Sequence, residues 1–357
     1  MRILQLIDSL QTGGAERVAV NYANELATKI EYSGIVVTRS EGNLKQFVHS
    51  NVDYLFLNRT KIFDFQAILK LRQHIKSQKI DFLHAHNTSF FFAFLIKLIY
   101  PKIKIIWHDH YGNSEFLEKR KTFIYKITLP FFYGVITVNE NLRKWVLNKI
   151  GIKNSIYLPN FPVLDDNIET KTTLKGKNGK RIVCLANLRP QKNHFLLLEV
   201  ANQLKLDYPD WTFHLIGVNF EDAYSNKVLN QIQKLNLENN VFFYGSCSDI
   251  TNILGQSSIG ILTSLSEGLP MAILEYGLCS LPVLCTSVGE LPTIINSNDN
   301  GILVKSNDVS LFYSNLVALI ENDNLKKQIG NNLYQTILQN FSSNFVMNKY
   351  LNWLVSE

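Results

Sequence analysis

The segment Ser266-Glu267-Gly268-Leu269-Pro270-Met271-Ala272-Ile273-Leu274-Glu275 sets two carboxylates eight positions apart. Gly268 and Pro270 follow the first, and an apolar run precedes the second. Gly breaks a helix and Pro suits its first turn, so Glu267 belongs to a loop and a helix begins just after it. Eight helical residues make a little over two turns, which would bring Glu275 roughly above Glu267 on one face. A helix start offers backbone N–H donors to an anion such as phosphate. Two carboxylates beside it are acceptors suited to ribose and sugar hydroxyls. The chemistry is that of a nucleotide-sugar site. The plain alternative is an amphipathic helix with two solvated glutamates.

Other segments carry related chemistry. Leu185-Ala186-Asn187-Leu188-Arg189-Pro190-Gln191-Lys192-Asn193-His194 ends a strand pattern, places two cations in a loop and opens a helix. Arg clamps a phosphate bidentately and Lys adds a point charge. Gly13-Gly14-Ala15-Glu16 falls between the first strand and the first helix, where glycines let a ligand approach the backbone. Gly217 and Gly245 close the strand ends Leu215-Ile216-Gly217 and Phe243-Tyr244-Gly245, where a nucleotide can come near. Trp107-His108-Asp109-His110 follows a strand, and His84-Ala85-His86-Asn87 ends the strand before it. Four histidines and Asp109 would suit a metal cluster, but structural histidines are the commoner outcome and no Asp-x-Asp pair accompanies them.

Glu267 to Glu275, with Tyr276-Gly277-Leu278-Cys279-Ser280-Leu281-Pro282-Val283 after it, resembles the Glu-x7-Glu motif of retaining GT-B glycosyltransferases, in particular glycosyltransferase family four, the glycosyl transferases group 1. The Gly13–Glu16 loop is similar to that family's Gly-Gly-x-Glu loop. His110 takes the position of the family's histidine near the transferred sugar, and His108 that of a threonine. Ser287–Pro292 and Asn300–Val304 also resemble family segments. The likeness is sharp over about residues 180–305 and looser over 1–160.

The resemblance implies a fold and a set of roles. The fold is α/β, GT-B, with two Rossmann-like doubly wound domains facing across a cleft. Glu275 would bind ribose hydroxyls and Glu267 sugar hydroxyls. Gly13, Gly14, Gly217, Gly245 and the backbone around Gly268, Leu269, Pro270 and Met271 would line the donor, with Lys192 and Arg189 on the diphosphate. His110, Glu267, Arg189 and Lys192 would be catalytic, and Glu16, His86 and His108 would lie near acceptor or sugar. The family's Arg stands five positions before the Lys, where this chain has Asn187; Arg189 is the substitute. A nucleoside diphosphate sugar is the co-substrate, and no metal or other cofactor is expected. The expected activity is hexosyl or N-acetylhexosaminyl transfer to a glycan, lipid-linked, in capsule, O-antigen or exopolysaccharide assembly. The rivals are a nucleotide-sugar epimerase on the same fold and a non-catalytic nucleotide-sugar or membrane-binding module. Dinucleotide chemistry ranks low, because Gly-x-Gly-x-x-Gly is absent and the second strand ends at Thr38-Arg39 without an acidic ribose ligand.

Strand-like runs alternate with helical ones throughout, the rhythm of a parallel sheet covered on both faces. Strands are expected at Ile3–Ile7, Ile35–Thr38, Phe82–His84, Ile103–Trp107 and Val135–Val138, and again from Arg181–Leu185 onward. Helices are expected over Glu16–Lys29, Phe65–Ser77 and Asn193–Leu206. The expected divisions are an acceptor-binding domain over 1–160, a linker and loop over 161–179 that includes Asp165-Asp166-Asn167, a donor-binding domain over 180–338, and a last helix over 339–357. The resemblance implies that this helix, with Tyr350 and Trp353, returns to the first domain.

Composition supports this frame. At 357 residues, with 46% hydrophobic and 18% charged content, the chain is globular and large enough for two cores. Cys184, Cys247, Cys279 and Cys285 show no metal-ligand spacing, so buried reduced thiols in a cytoplasmic protein are expected. The N-terminus reads as a strand and not a signal peptide, and the run Phe90–Ile96 is too short to span a bilayer. Residues 1–160 carry 22 Lys and Arg against 12 Asp and Glu, a net +10; the rest carries −4, for +6 overall. The basic half suits an anionic partner: an inner-membrane surface or a lipid-pyrophosphate acceptor, with nucleic acid set aside. The plain alternative is scattered solvated lysines. Lys119-Arg120-Lys121 within Glu118–Lys126 is the densest stretch, expected as an interfacial helix whose three cations hold anionic vesicles.

Overall fold

The computed structural model describes residues 1–112, 117–163, 170–296 and 298–356. Asp165-Asp166-Asn167 of the expected linker lie outside them. The chain forms two compact units, one of Met1–Phe161 with the C-terminal segment from Ser343, the other of Pro162–Ser342.

In the first unit seven strands pair in parallel: β1 (Arg2–Ser9), β2 (Tyr32–Ser40), β3 (Asp53–Phe56), β4 (Phe82–His86), β5 (Lys104–Asp109), β6 (Gly134–Thr137) and β7 (Ser155–Tyr157). Their order is β3-β2-β1-β4-β5-β6-β7. The inner strands are buried on both faces, which is why they read as near-continuous apolar runs. Leu4, Leu6, Val36, Leu83, Ile105 and Val135 form part of one core. The second unit repeats the plan with β8 (Arg181–Leu185), β9 (Thr212–Ile216), β10 (Val241–Phe243), β11 (Ile259–Leu262), β12 (Val283–Thr286) and β13 (Ile302–Val304). All are parallel, in the order β10-β9-β8-β11-β12-β13. In each sheet the strand order therefore reverses beside the first strand, between β1 and β4 and between β8 and β11. Ligands of doubly wound sheets sit beyond the strand ends at such a switch point.

The differences from expectation are local. β2 extends past Ile35–Thr38 at both ends, and the short edge strands β3 and β7 carried too weak an apolar signal to be expected. The first helix runs Gly14–Leu26, entered from Gly13 and ending before the exposed Thr28-Lys29. Asn193 takes a left-handed backbone (φ 48°) and caps the helix His194–Asp207 from outside. Cys184 and Cys285 are buried, whereas Cys247 and Cys279 are only partly so.

The last helix, Ser343–Val355, belongs to the first unit. Trp353 Nε1 donates to Asn154 Oδ1 at 2.8 Å. A methyl group on Gly134 of β6 would stand 2.6 Å from the Trp353 ring, so the strand's first residue can carry no side chain. Among the described residues no helix is long and apolar enough to cross a membrane.

Candidate active site

The second unit's switch point is bridged by an ion pair. The loop after β8 makes a tight turn over Pro190–Lys192 before the Asn193 cap. Leu265 N–H donates to the Gln191 carbonyl at 2.7 Å, and Thr263 Oγ1 to that of Lys192 at 3.0 Å. The loops after β8 and β11 are thus stitched together. Lys192 Nζ then lies 2.5 Å from Glu267 Oε1, which also accepts from Ser264 Oγ at 2.6 Å. Both side chains are largely buried, at 18% and 7% exposure. Gly289, after β12, closes the other side. Its φ is +55°, and a Cβ there would stand 1.9 Å from the Glu267 carbonyl oxygen, so only glycine fits. Glu290 N–H donates to the Gly268 carbonyl at 3.2 Å.

The helix Met271–Leu278 follows. Pro270 is its N-cap, with extended backbone (φ −73°, ψ 123°) and no side-chain cap. Glu267 therefore precedes the helix by four residues, and the expected stacking of Glu275 above it on one helical face does not occur. Glu275 lies mid-helix, partly exposed between buried Leu274 and Tyr276. Tyr276 seats the helix: its hydroxyl accepts from Leu185 N–H at 2.7 Å, and a Cβ on Gly260 of β11 would meet its ring at 2.7 Å. Pro270 has no N–H to offer, so donors in this bend come from Gly268, Leu269 and Met271.

Arg189 stands apart from that pair. It is exposed, and its guanidinium lies over the Phe220 ring, 4.5 Å from the centroid. Asn187, at the family's Arg position, is used by the fold: its Oδ1 accepts from Val218 N–H at 2.8 Å. Gly217 is packed tightly, with its Cβ position 2.3 Å from the Ala186 carbonyl. Gly245, at φ +72°, faces open space. These two glycines, expected to serve alike, have different physical reasons.

In the first unit, Gly13 caps the first helix with the Glu16 carboxylate folded over it; a Cβ there would meet Glu16 Oε2 at 2.3 Å. Gly14 faces open space. The four histidines form a ladder across β4 and β5. His84 and His86 share one face of β4, and the register pairs His86 with His108. His84 Nε2 is 3.3 Å from His108 Nδ1, and His86 Nδ1 is 3.0 Å from His110 Nε2. His84, His86 and His108 are fully buried; only His110, just past β5, is partly exposed. Burial disfavours the charged imidazolium and, with mutual repulsion, depresses the pKa of His84, His86 and His108 well below 6.5, and burial alone takes His110 to about 3. Asp109 is buried too, held bidentately by Arg120 at 2.6 and 3.0 Å. Arg120 stacks on Tyr111 and Trp145, with 7% exposure. It is therefore no part of a basic surface with Lys119 and Lys121, and the helix there starts only at Phe123.

Nitrogens of His84, His86 and His108 lie within 4.8 Å of one another, close enough to consider an ion. However, the rings stack nearly parallel, with interplanar angles of 20° for His84–His86 and 14° for His84–His108. Both nitrogens of His84 and of His86 already face hydrogen-bond partners. An ion there would have to displace those hydrogen bonds.

Sequence reading did not connect Gln5, Tyr22 and Tyr350 with the ladder that they enclose. Tyr22 packs edge-on against His84 and His108, and Tyr350 OH is 3.1 Å from His84 Nδ1. Gln5, a lone amide in the apolar run of β1, was the available signal. Ser264, which supports Glu267, carried none.

Two family models match this geometry's owner in succession. The one described as Glycosyltransferase Family 4 matches residues 12–161, and the one described as Glycosyl transferases group 1 matches 165–336. Anabaena HepE, solved with UDP and glucose, superposes with a TM-score of 0.81 over 100% of both chains at 20% identity, and its fold is shared. With two parallel Rossmann-like sheets the chain has the GT-B fold, and it belongs to glycosyltransferase family four. It is 26% identical to an uncharacterized glycosyltransferase of Haemophilus influenzae, covering 89% of each chain. It is 23% identical to an Escherichia coli UDP-Gal:α-D-GlcNAc-diphosphoundecaprenol α-1,3-galactosyltransferase, over 92% of this chain and 90% of that one.

Proposed function

We propose that this glycosyltransferase moves a hexosyl or N-acetylhexosaminyl unit, with retention, from a nucleoside diphosphate sugar to a lipid-linked glycan in surface polysaccharide assembly. The observation that carries the reading is the buried Lys192–Glu267 pair at the switch point, beside the uncapped helix start at Met271. As the glycosidic bond breaks, charge grows on the departing diphosphate. A fixed ammonium and oriented N–H groups of Gly268, Leu269 and Met271 stabilise that charge most in the transition state. Ion pairing with Glu267 holds Lys192 in place beforehand. Glu267 then presents its carboxylate to sugar hydroxyls, and Glu275 to the ribose. Arg189 adds a second cation by leaving the Phe220 face. Gly245 lines the donor on the second unit, and no metal is needed.

The acceptor is argued from the first unit. Phe63, Phe91, Phe94 and Phe131 form a run of ring contacts, centroids 5.6–6.4 Å apart, and Phe63 and Phe131 are exposed. Phe65 and Phe123 are exposed by 75% and 76%. Exposed Lys119, Lys121 and Lys126 flank Phe123 in the chain. Apolar side chains with nearby cations suit the surface of an anionic bilayer, where an undecaprenyl-type acceptor of the kind named for the Escherichia coli relative resides.

The test is a screen against UDP- and GDP-sugars by thermal shift and nucleotide release, with Lys192→Ala and Glu275→Ala beside the wild type. Donor-specific stabilisation and release that both variants lose are expected. Folded wild-type protein that answers no donor overturns the reading.

A further inference from the structure

A neutral imidazole carries one proton, so each ring in a hydrogen-bonded line dictates its neighbour's tautomer. Such a line crosses the first unit. Gln5 on β1 places Oε1 2.8 Å from His86 Nε2 at the end of β4. His86 Nδ1 in turn lies 3.0 Å from Nε2 of His110, just past β5. Gln5 and His86 are fully buried, so bulk solvent does not reach either group. An amide oxygen only accepts. His86 therefore bears its proton on Nε2 and presents a lone pair at Nδ1. His110 Nε2 must be the donor to it, and the lone pair of His110 falls on Nδ1.

We infer that Gln5 and His86 are positioning residues that fix His110 as its Nε2–H tautomer, keeping Nδ1 as an acceptor for a sugar hydroxyl. The part concerning the hydroxyl rests on the transferase reading above; the tautomer itself does not. Burial keeps both rings neutral, which the relay needs, since a charged ring would donate from both nitrogens. Loss of the Gln5 oxygen reverses the line. A buried His86 Nε2–H would then lack an acceptor, which is costly, so its proton moves to Nδ1 and His110 becomes the acceptor at Nε2. The proton of His110 then occupies Nδ1, the position a hydroxyl donor requires empty.

The experiment is long-range 1H–15N correlation at neutral pH on the full chain labelled with 15N-histidine, which reports tautomers directly. His110 and His86 are expected as Nε2–H forms in the wild type. In Gln5→Met the lone pair of His110 is expected to move from Nδ1 to Nε2. His86→Asn, whose Oδ1 replaces Nδ1 as acceptor, should keep the wild-type tautomer of His110, and the missing signals assign His86. Donor turnover should fall about tenfold or more in Gln5→Met with KM for donor within about twofold. Wild-type His110 protonated on Nδ1, a metal-shifted spectrum, or an unchanged His110 in Gln5→Met each overturns the relay. If Gln5→Met does not fold, the wild-type and His86→Asn spectra decide. Wild-type tautomers as expected with no turnover of any donor would sink the transferase reading and leave the relay standing.

Discussion

Lys192 and Glu267, 75 residues apart, hold each other at 2.5 Å with little contact with solvent. Removing one partner strands a buried charge. Lys192→Met should therefore lower stability by about 3–5 kcal/mol in denaturant titration as well as slow turnover on the order of 100-fold. The double variant Lys192→Met with Glu267→Gln should recover much of the stability and none of the turnover. Additive stability losses would show that the pair is not coupled in the folded protein.

Arg189 makes the opposite prediction. Its exposed guanidinium rests on a ring face, so Arg189→Ala should shift the melting temperature hardly at all, within the effect of about 0.5 kcal/mol usual for a surface change. Turnover should nevertheless drop about tenfold if it meets the diphosphate. Calorimetric titration with UDP alongside the rate separates the two effects, and an unaltered rate removes Arg189 from the site.

Acid should strike the first unit first. His84, His86, His108 and His110 are neutral when folded because burial depresses their pKa, to about 3 for His110. Unfolded, they titrate near 6.5. As pH falls below that value the unfolded chain takes up protons that the folded one refuses. Stability present above about pH 6.5 is thus lost as pH drops toward the folded values, by up to about 1.4 kcal/mol per imidazole per pH unit. In the second unit His194 and His214 are lowered only to about 4. Trp107, Trp145 and Trp353 report on the first unit and Trp211 on the second. Fluorescence of a Trp211→Phe variant should show an acid transition at higher pH than a variant keeping Trp211 alone.

Membrane binding, if the first unit mediates it, depends on the phenylalanines. Phe65→Ser with Phe123→Ser should reduce co-sedimentation with anionic vesicles several-fold and leave the melting temperature unchanged, as both rings are exposed. Lys119→Ala with Lys121→Ala should act in the same direction and more weakly at high salt. Arg120→Ala is a control of another kind: it strands buried Asp109 and should unfold the unit. Vesicle binding untouched by the phenylalanine pair would discard this surface.

Much of this was legible because it is local. Apolar runs such as Ile3–Ile7 and Arg181–Leu185 announce buried parallel strands, and Gly268 with Pro270 announces where a helix starts. The two-sheet α/β architecture follows from that rhythm. What was not legible depends on strand order. Lys192 and Glu267 were each marked on their own, but their contact exists only because β8 lies beside β11. The histidine ladder needs β1, β4 and β5 adjacent and in register, which no spacing along the chain reveals. Arg120 read as surface charge because a sequence window cannot show that Asp109, Trp107, Tyr111, Tyr125 and Trp145 close around it.

The helix Ser343–Val355 completes the unit that the first residues began, with Trp353 against Gly134 and Tyr350 against His84. The second unit is thus threaded between two parts of the first. On a ribosome adding about 5–20 residues per second, the first sheet emerges early yet lacks one of its covering helices for on the order of ten seconds or more. The second unit, though made later, has all its strands and helices before the first does. Birth order and completion order are inverted, so the nascent first unit is the part that stays unfinished longest.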